Sequence, residues 1–186
     1  MKKVLVFVTL LTLVAFFAVC LLTVAYRESP TCSIRSLVVD DGKMPDGWTS
    51  EWAILPPALR TLGAHQAYSV FMNKGNSTAQ HSVYQYRNRW RSVFHFWFEE
   101  QFFFPSEGWD WTDLPGVGEI PLHADQRKIR CGNASHSHLD NRCTAVLRYG
   151  LYVSEFSSSI EEGCMTRDQF LETLLRIDEL LSSCAE

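Results

Sequence analysis

The sequence predicts an α+β fold, in which an N-terminal transmembrane or signal helix precedes one two-layer domain. Three observations carry this prediction. Val4 to Tyr26 contains no charged side chain, short β-branched and aromatic runs alternate with turn residues, and an amphipathic helical pattern follows Thr166. The elements follow the order ββαββα. Hairpins build antiparallel sheets, and the helices between them are expected on one face of the sheet.

The first 26 residues are predicted to be a signal anchor. As a helix, the 23 uncharged residues would extend about 34 Å, enough for a hydrocarbon core of about 30 Å. Lys2 and Lys3 precede the run, so the positive-inside rule places residues 27–186 outside the cytoplasm. We therefore expect a single-pass cell-membrane protein. A cleaved signal peptide, which would give a secreted protein, and a lipid on Cys20 are the alternatives.

Residues 27–186 are predicted to form a single extracytoplasmic globular domain, which fits the length of one domain. Without Lys2 and Lys3, the 17 basic residues of the chain become 15 against 21 acidic ones, a net charge of −6. Nucleic-acid recognition depends on basic patches. The composition therefore argues against nucleic acid as a partner.

The first half of the domain is predicted to be irregular as far as residue 66, because proline and glycine are frequent there. Leu37–Val39 is the one short strand expected in this part. Residues 67–86 read as a hairpin that turns at Gly75–Ser77. A helix over Arg89–Phe104 follows, with a strand that turns Phe94, Phe96 and Phe98 inward as the alternative. Helical spacing predicts a buried stripe on one side of the helix. That stripe consists of Trp90, Val93, Phe94, Trp97 and Phe98, and Arg91, His95 and Glu99 lie on the opposite side.

The second half begins with a predicted loop over Ser106–Pro121. Trp109 and Trp111 lie among acidic residues there and form a candidate binding loop for a small molecule or a protein. Strands are predicted over 125–131 and 143–156, the latter bent at Gly150. The last helix carries a capping box, Thr166 with Gln169, and an apolar face.

Cysteines provide the other candidate sites. Cys131 and Cys143 flank a short polar loop and are predicted to form a disulfide, as expected outside the cytosol. Cys32 is expected to pair with Cys164 or Cys184. A zinc site made by Cys131, His136, His138 and Cys143 is the alternative, because two thiolates and two imidazoles suit tetrahedral zinc.

No motif of a hydrolase, a P-loop or a dinucleotide-binding fold occurs. The sequence therefore predicts a non-enzymatic domain with a binding, sensing or assembly role, without catalytic residues or cofactors. The alternative is a secreted or surface metal-binding protein or hydrolase that uses the 131–143 Cys/His loop.

The order of elements and the final amphipathic helix resemble those of small bacterial membrane-anchored or lipoprotein extracytoplasmic domains, and of sensor domains of bacterial kinases. The resemblance covers residues 65–184 loosely. It implies an exported α+β domain and transfers no site residue.

Overall fold

The computed structural model describes residues 9, 11–18, 27–54, 63–103, 109–113, 120–134, 142–161 and 163–184. Within these ranges seven strands form one antiparallel sheet in the order β1-β2-β3-β7-β6-β5-β4. The strands are β1 (Thr49–Ile54), β2 (Gln66–Lys74), β3 (Ser77–Gln85), β4 (Trp109–Asp113), β5 (Gln126–Ala134), β6 (Arg142–Tyr149) and β7 (Tyr152–Ser159). The α+β class is as predicted.

The described residues contain three α-helical segments: residues 11–18, α1 (Arg89–Phe98) and α2 (Arg167–Ser182). A π-helical turn, Glu99–Phe103, continues α1. None of the helices in the described ranges has both the length and the apolar character needed to cross a bilayer. Residues 1–8, 10 and 19–26, on which the anchor prediction mainly depends, lie outside the described residues.

The two helices of the domain pack on opposite faces of the sheet. On one face, Val83, Leu147 and Phe156 form a core with Phe170 and Leu174 of α2. A second, smaller core lies on the other face and contains Tyr84, Tyr86, Val146 and Val153 with Phe96 of α1. The prediction of two layers with helices on one face is therefore wrong. The central strands β3, β6 and β7 carry buried side chains on both faces, and each face needs a cover.

The ββαββα order also requires correction. Gly150 adopts φ +54° and turns the chain back, so the strand predicted over 143–156 is the hairpin of β6 and β7. Two strands, β1 and β4, lie at the edges of the sheet and were not predicted. In the first half, residues 34–37 form a 3₁₀ turn in place of the expected start of a strand.

Other predictions of local structure hold. Strands β2 and β3 form the expected hairpin around Gly75, whose φ of +61° suits a tight turn. At the start of α2, the Thr166 hydroxyl accepts from the Gln169 amide at 3.2 Å, and the Gln169 side chain accepts from the Thr166 amide at 2.9 Å. This is the predicted capping box.

Two cysteine pairs lie at disulfide distance. Cys131 and Cys143 pair between neighbouring strands, as predicted, with their Cα atoms 4.0 Å apart. Cys32 pairs with Cys184, one of its two predicted partners, and joins the start of the domain to the end of α2. Cys164 lies outside both pairs, and its thiol contacts the Glu161 carboxylate at 3.4 Å.

Candidate functional site

Helix α1 presents its polar side to the sheet, the reverse of the predicted orientation. Ser92, His95 and Phe96 are buried, whereas Trp90 and Trp97 are exposed. The reason is that the sheet offers partners to polar groups. The Ser92 hydroxyl donates to the Gly150 carbonyl oxygen at 2.6 Å. His95 reaches Tyr86, the residue after β3, and Glu155 of β7. Hydrogen bonds across the interface therefore set the rotation of this helix.

His95 is the centre of a buried polar cluster. Its Nδ1 lies 2.7 Å from the Tyr86 hydroxyl. Its Nε2 lies 2.8 Å from Glu155 Oε1 and 3.4 Å from Glu99 Oε1. The hydroxyl of Tyr84 contacts the second oxygen of Glu155 at 3.4 Å. One imidazole therefore links two carboxylates, one from the π-helical turn after α1 and one from β7.

The surroundings of His95 favour its charged form. Burial lowers the pKa of His95, but hydrogen bonds and charges from Glu155 and Glu99 outweigh burial and raise this pKa to about 9. A protonated ring donates from both nitrogens, to Tyr86 and to Glu155. Burial raises the pKa of Glu155, although the His95 charge opposes that rise. Burial also raises the pKa of Tyr86, so its phenol stays neutral.

A cavity of about 180 Å³ lies beside this cluster, between the π-helical turn that follows α1 and the sheet. All of its lining residues but one are polar or acidic: Gln80, Ser82, Glu99, Thr144, Val146, Glu155 and Ser157. Glu99 and Glu155 bring two carboxylates to the lining itself, whereas the nearby positive groups, His95 and the Arg142 guanidinium that donates to Ser157, lie behind the lining residues. The cavity is therefore suited to a positively charged group.

Thr144 adds a second, independent feature to the wall of this cavity. The residue is 4% exposed, and its buried hydroxyl has no hydrogen-bond partner among the described residues. A buried polar group without a partner typically costs about 1–3 kcal/mol.

The cluster also contains the atom types of a metal site. Ligand atoms of His95, Glu99 and Glu155 lie within 4.8 Å of one another. The Nε2 of His95 can coordinate a cation only after it loses the proton that it shares with Glu155. Because the pKa of His95 is raised to about 9, that loss is unfavourable at neutral pH. The arrangement favours a cation that contacts the carboxylate oxygens without displacing this proton.

The zinc alternative predicted from sequence is not supported by its cysteines. Cys131 and Cys143 lie at disulfide distance from each other, and a disulfide sulfur is not the thiolate that zinc binds. His136 and His138 lie outside the described residues. The disulfide also lies on the α2 side of the sheet, away from the cavity.

The predicted loop around Trp109 and Trp111 is in part a strand. Residues 109–113 form β4 and pair with β5, with Trp111 opposite Gly132. Trp111 is half-buried against the smaller core. A Cβ atom at Gly132 would lie only 3.0 Å from its ring, so glycine permits the contact. The side chain of Trp109 lies outside the described residues, and a binding role for the two tryptophans stays a prediction.

Sequence reasoning missed the acidic cavity. His95 and Glu99 were recognised as neighbours on one side of the helix but were assigned to solvent. Glu155 was not singled out, although an acidic residue inside a run of apolar and small residues is a signal of a buried, paired charge.

Comparison with known proteins gives no relative: no family model matches the chain, and no curated protein or solved structure matches it significantly. Its function is therefore argued from the cavity and its charges.

Proposed function

We propose that this chain is a non-enzymatic extracytoplasmic domain, held in the cell membrane by residues 4–26, that binds a small cationic ligand. The ligand occupies the cavity bounded by Glu99, Glu155 and Thr144, beside His95. Two disulfide-distance pairs support an oxidising compartment, because structural disulfides persist mainly outside the cytosol.

The observation that carries the proposal is that two carboxylates, those of Glu99 and Glu155, line one cavity whose other residues are mostly polar. Glu99 and Glu155 face one imidazolium, and the Thr144 hydroxyl lacks a partner among the described residues. The cavity, about 180 Å³, is similar in volume to the engineered cavity of about 150 Å³ that accommodates benzene. A ligand of about six heavy atoms with an ammonium group fits both this size and this charge.

Binding is favoured over catalysis because the strongest candidate base is already engaged. Both nitrogens of His95 are hydrogen-bonded, to Tyr86 and to Glu155. The serine hydroxyls in the wall have other partners: Ser82 contacts Ser69 at 2.7 Å, and Ser157 accepts from Arg142 at 3.0 Å. In the described part of the chain, the one hydroxyl paired with this histidine is that of Tyr86, whose raised pKa keeps the phenol neutral, and no serine or threonine hydroxyl is paired with it.

Calorimetric titration of the full chain in detergent micelles with putrescine, a six-heavy-atom diamine, tests the proposal. Wild-type protein should bind it. Glu99→Gln should weaken binding roughly tenfold or more, because a hydrogen bond to a charged group is worth about 1.5–3 kcal/mol. Glu172→Gln removes an exposed acid of α2, on the other face of the sheet, and should leave the affinity unchanged.

Equal weakening by the two substitutions would show non-specific attraction to an acidic protein and would refute the site. Ethylammonium, a smaller cation with one ammonium group, is titrated in the same way. If wild-type protein binds neither putrescine nor ethylammonium, the cationic ligand class is refuted.

A further inference from the structure

Helix α1 carries an exposed aromatic ridge, formed by Trp90, Phe94 and Trp97. These side chains are 57%, 39% and 47% exposed. Their spacing of four and three residues places them on one stripe, and the rings of Phe94 and Trp97 stack with centroids 5.6 Å apart. A contiguous exposed apolar patch typically marks an interaction site. The aromatic ridge faces away from His95 and its cavity.

The chain enters the domain beside the start of this ridge. The backbone amide of Glu28 donates to the Arg87 carbonyl oxygen at 2.8 Å. The Glu28 carboxylate forms an ion pair with Arg89 Nε at 3.1 Å. Glu28 is thus held next to the first residue of α1, one position before Trp90.

Chain length places this entry point close to the end of the predicted anchor. Glu28 lies two positions after Tyr26, and two extended residues reach about 7 Å. The interfacial layer on each side of the hydrocarbon core is about 5–7 Å thick. The aromatic ridge covers eight residues of helix, and its two ends are about 10 Å apart along the axis. An anchor that ends at Tyr26 therefore holds the first turn of α1 at the level of the lipid headgroups.

The side chains of this surface suit a lipid interface. Tryptophan is enriched where an apolar ring meets the polar headgroups, and helices that lie in the interface combine aromatic with basic residues. Arg91 is exposed on the same helix and has the sign of charge that anionic lipids attract. A protein partner would meet the same aromatic rings, but only a lipid surface is brought there by the chain itself.

We infer that the aromatic ridge of α1 docks on the headgroup region of the bilayer in which residues 4–26 are anchored. This inference rests on the anchor of the proposed function. Docking fixes the orientation of the domain, with α1 against the membrane and α2 on the distal side of the sheet.

Quenching by brominated lipids tests the docking in the full chain. The protein is reconstituted in vesicles of phosphatidylcholine and phosphatidylglycerol that carry bromine near the headgroup end of the acyl chain. Wild-type tryptophan fluorescence should be quenched, and the double variant Trp90→Gln, Trp97→Gln should lose that quenching. Leu175→Gln changes an exposed apolar residue of α2 on the opposite side of the sheet and should keep it. Circular dichroism checks that each variant is folded.

A carbonate wash of the same vesicles separates the two proposals. Release of the wild-type chain would overturn the anchor and the docking with it. Retention of the chain with equal quenching in wild type and double variant would overturn the docking alone.

Discussion

At the scale of single residues, two buried histidines have pKa values that are shifted in opposite directions. His81, in β3, accepts from the Val39 amide at 2.8 Å and contacts the Ser154 hydroxyl at 2.9 Å. Neither partner is charged, and burial lowers the pKa of His81 to about 3. His95 is equally buried, but Glu155 and Glu99 raise its pKa to about 9. The difference comes from the partners and not from the depth of burial.

His95 should make stability depend on pH above neutrality. Between its ordinary pKa of 6.5 and its folded pKa of about 9, the native state holds a proton that the unfolded state has lost. The stabilisation is therefore complete below pH 6.5 and is lost as pH rises through 9. It amounts to about 3 kcal/mol, taking 1.36 kcal/mol for each pKa unit. Urea unfolding of wild-type protein at pH 6 and pH 9.5 measures this loss.

His95→Gln is the matched variant, because its side chain is polar but cannot carry the charge. The free energy of unfolding of this variant should change much less between pH 6 and pH 9.5 than that of wild-type protein. NMR titration of the histidine rings gives a direct check. Titration of His95 near 6.5 would mean that Glu155 and Glu99 do not hold its proton.

At the scale of elements, α2 was the most predictable part of the chain, because its signals are local. The capping box lies within four residues, and the buried side chains Phe170, Leu174, Ile177 and Leu181 recur at helical spacing. Helix α1 was assigned the wrong face because its orientation depends on Tyr86 and Glu155, and Glu155 lies 60 residues away from His95. Periodicity within a helix contains no information on such partners.

The strands show the same division. The β2–β3 hairpin was predicted from its turn residues, whereas the edge strand β4 was assigned to a loop. Its sequence does alternate, with Trp109 and Trp111 on either side of Asp110, and this is the period of a strand. The surrounding glycines and prolines outweighed that alternation.

Replacement of Leu174 by alanine tests the packing of α2. The side chain is fully buried, so the substitution should lower the free energy of unfolding by about 2–5 kcal/mol. Glu172→Ala, at an exposed position whose carboxylate pairs with Arg176 at 2.7 Å, should stay within about 0.5 kcal/mol of wild type. Urea denaturation measures both values. Similar losses from the two variants would place the buried face of α2 elsewhere.

At the scale of the whole molecule, the sequence predicted the α+β class but not the number of layers. Hairpins whose strands alternate between apolar and polar residues predicted a sheet with one solvent-exposed face. In the folded chain the other face of β3, β6 and β7 is covered by α1 and holds Ser82, Thr144 and Glu155. In sequence, polar residues that alternate along a strand indicate a solvent-exposed face. Here such residues line a cavity instead, so the sequence pattern of a covered face looks like that of an exposed one.

The Cys32–Cys184 bond closes the chain of the domain into a covalent loop, which decides how the domain carries a mechanical force. A pull between residue 27 and the C-terminus is carried from Cys32 to Cys184 through a covalent bond, and the seven strands bear none of it. In an optical trap, the oxidised chain should show no stepwise gain in length. After reduction, the chain between the two cysteines, which are 152 positions apart, should extend by about 500 Å, at about 3.3–3.6 Å per residue. A long extension without reductant would show that the loop is open. With the Cys32–Cys184 bond closed, tension that pulls the C-terminus away from the membrane leaves the cavity beside His95 undeformed.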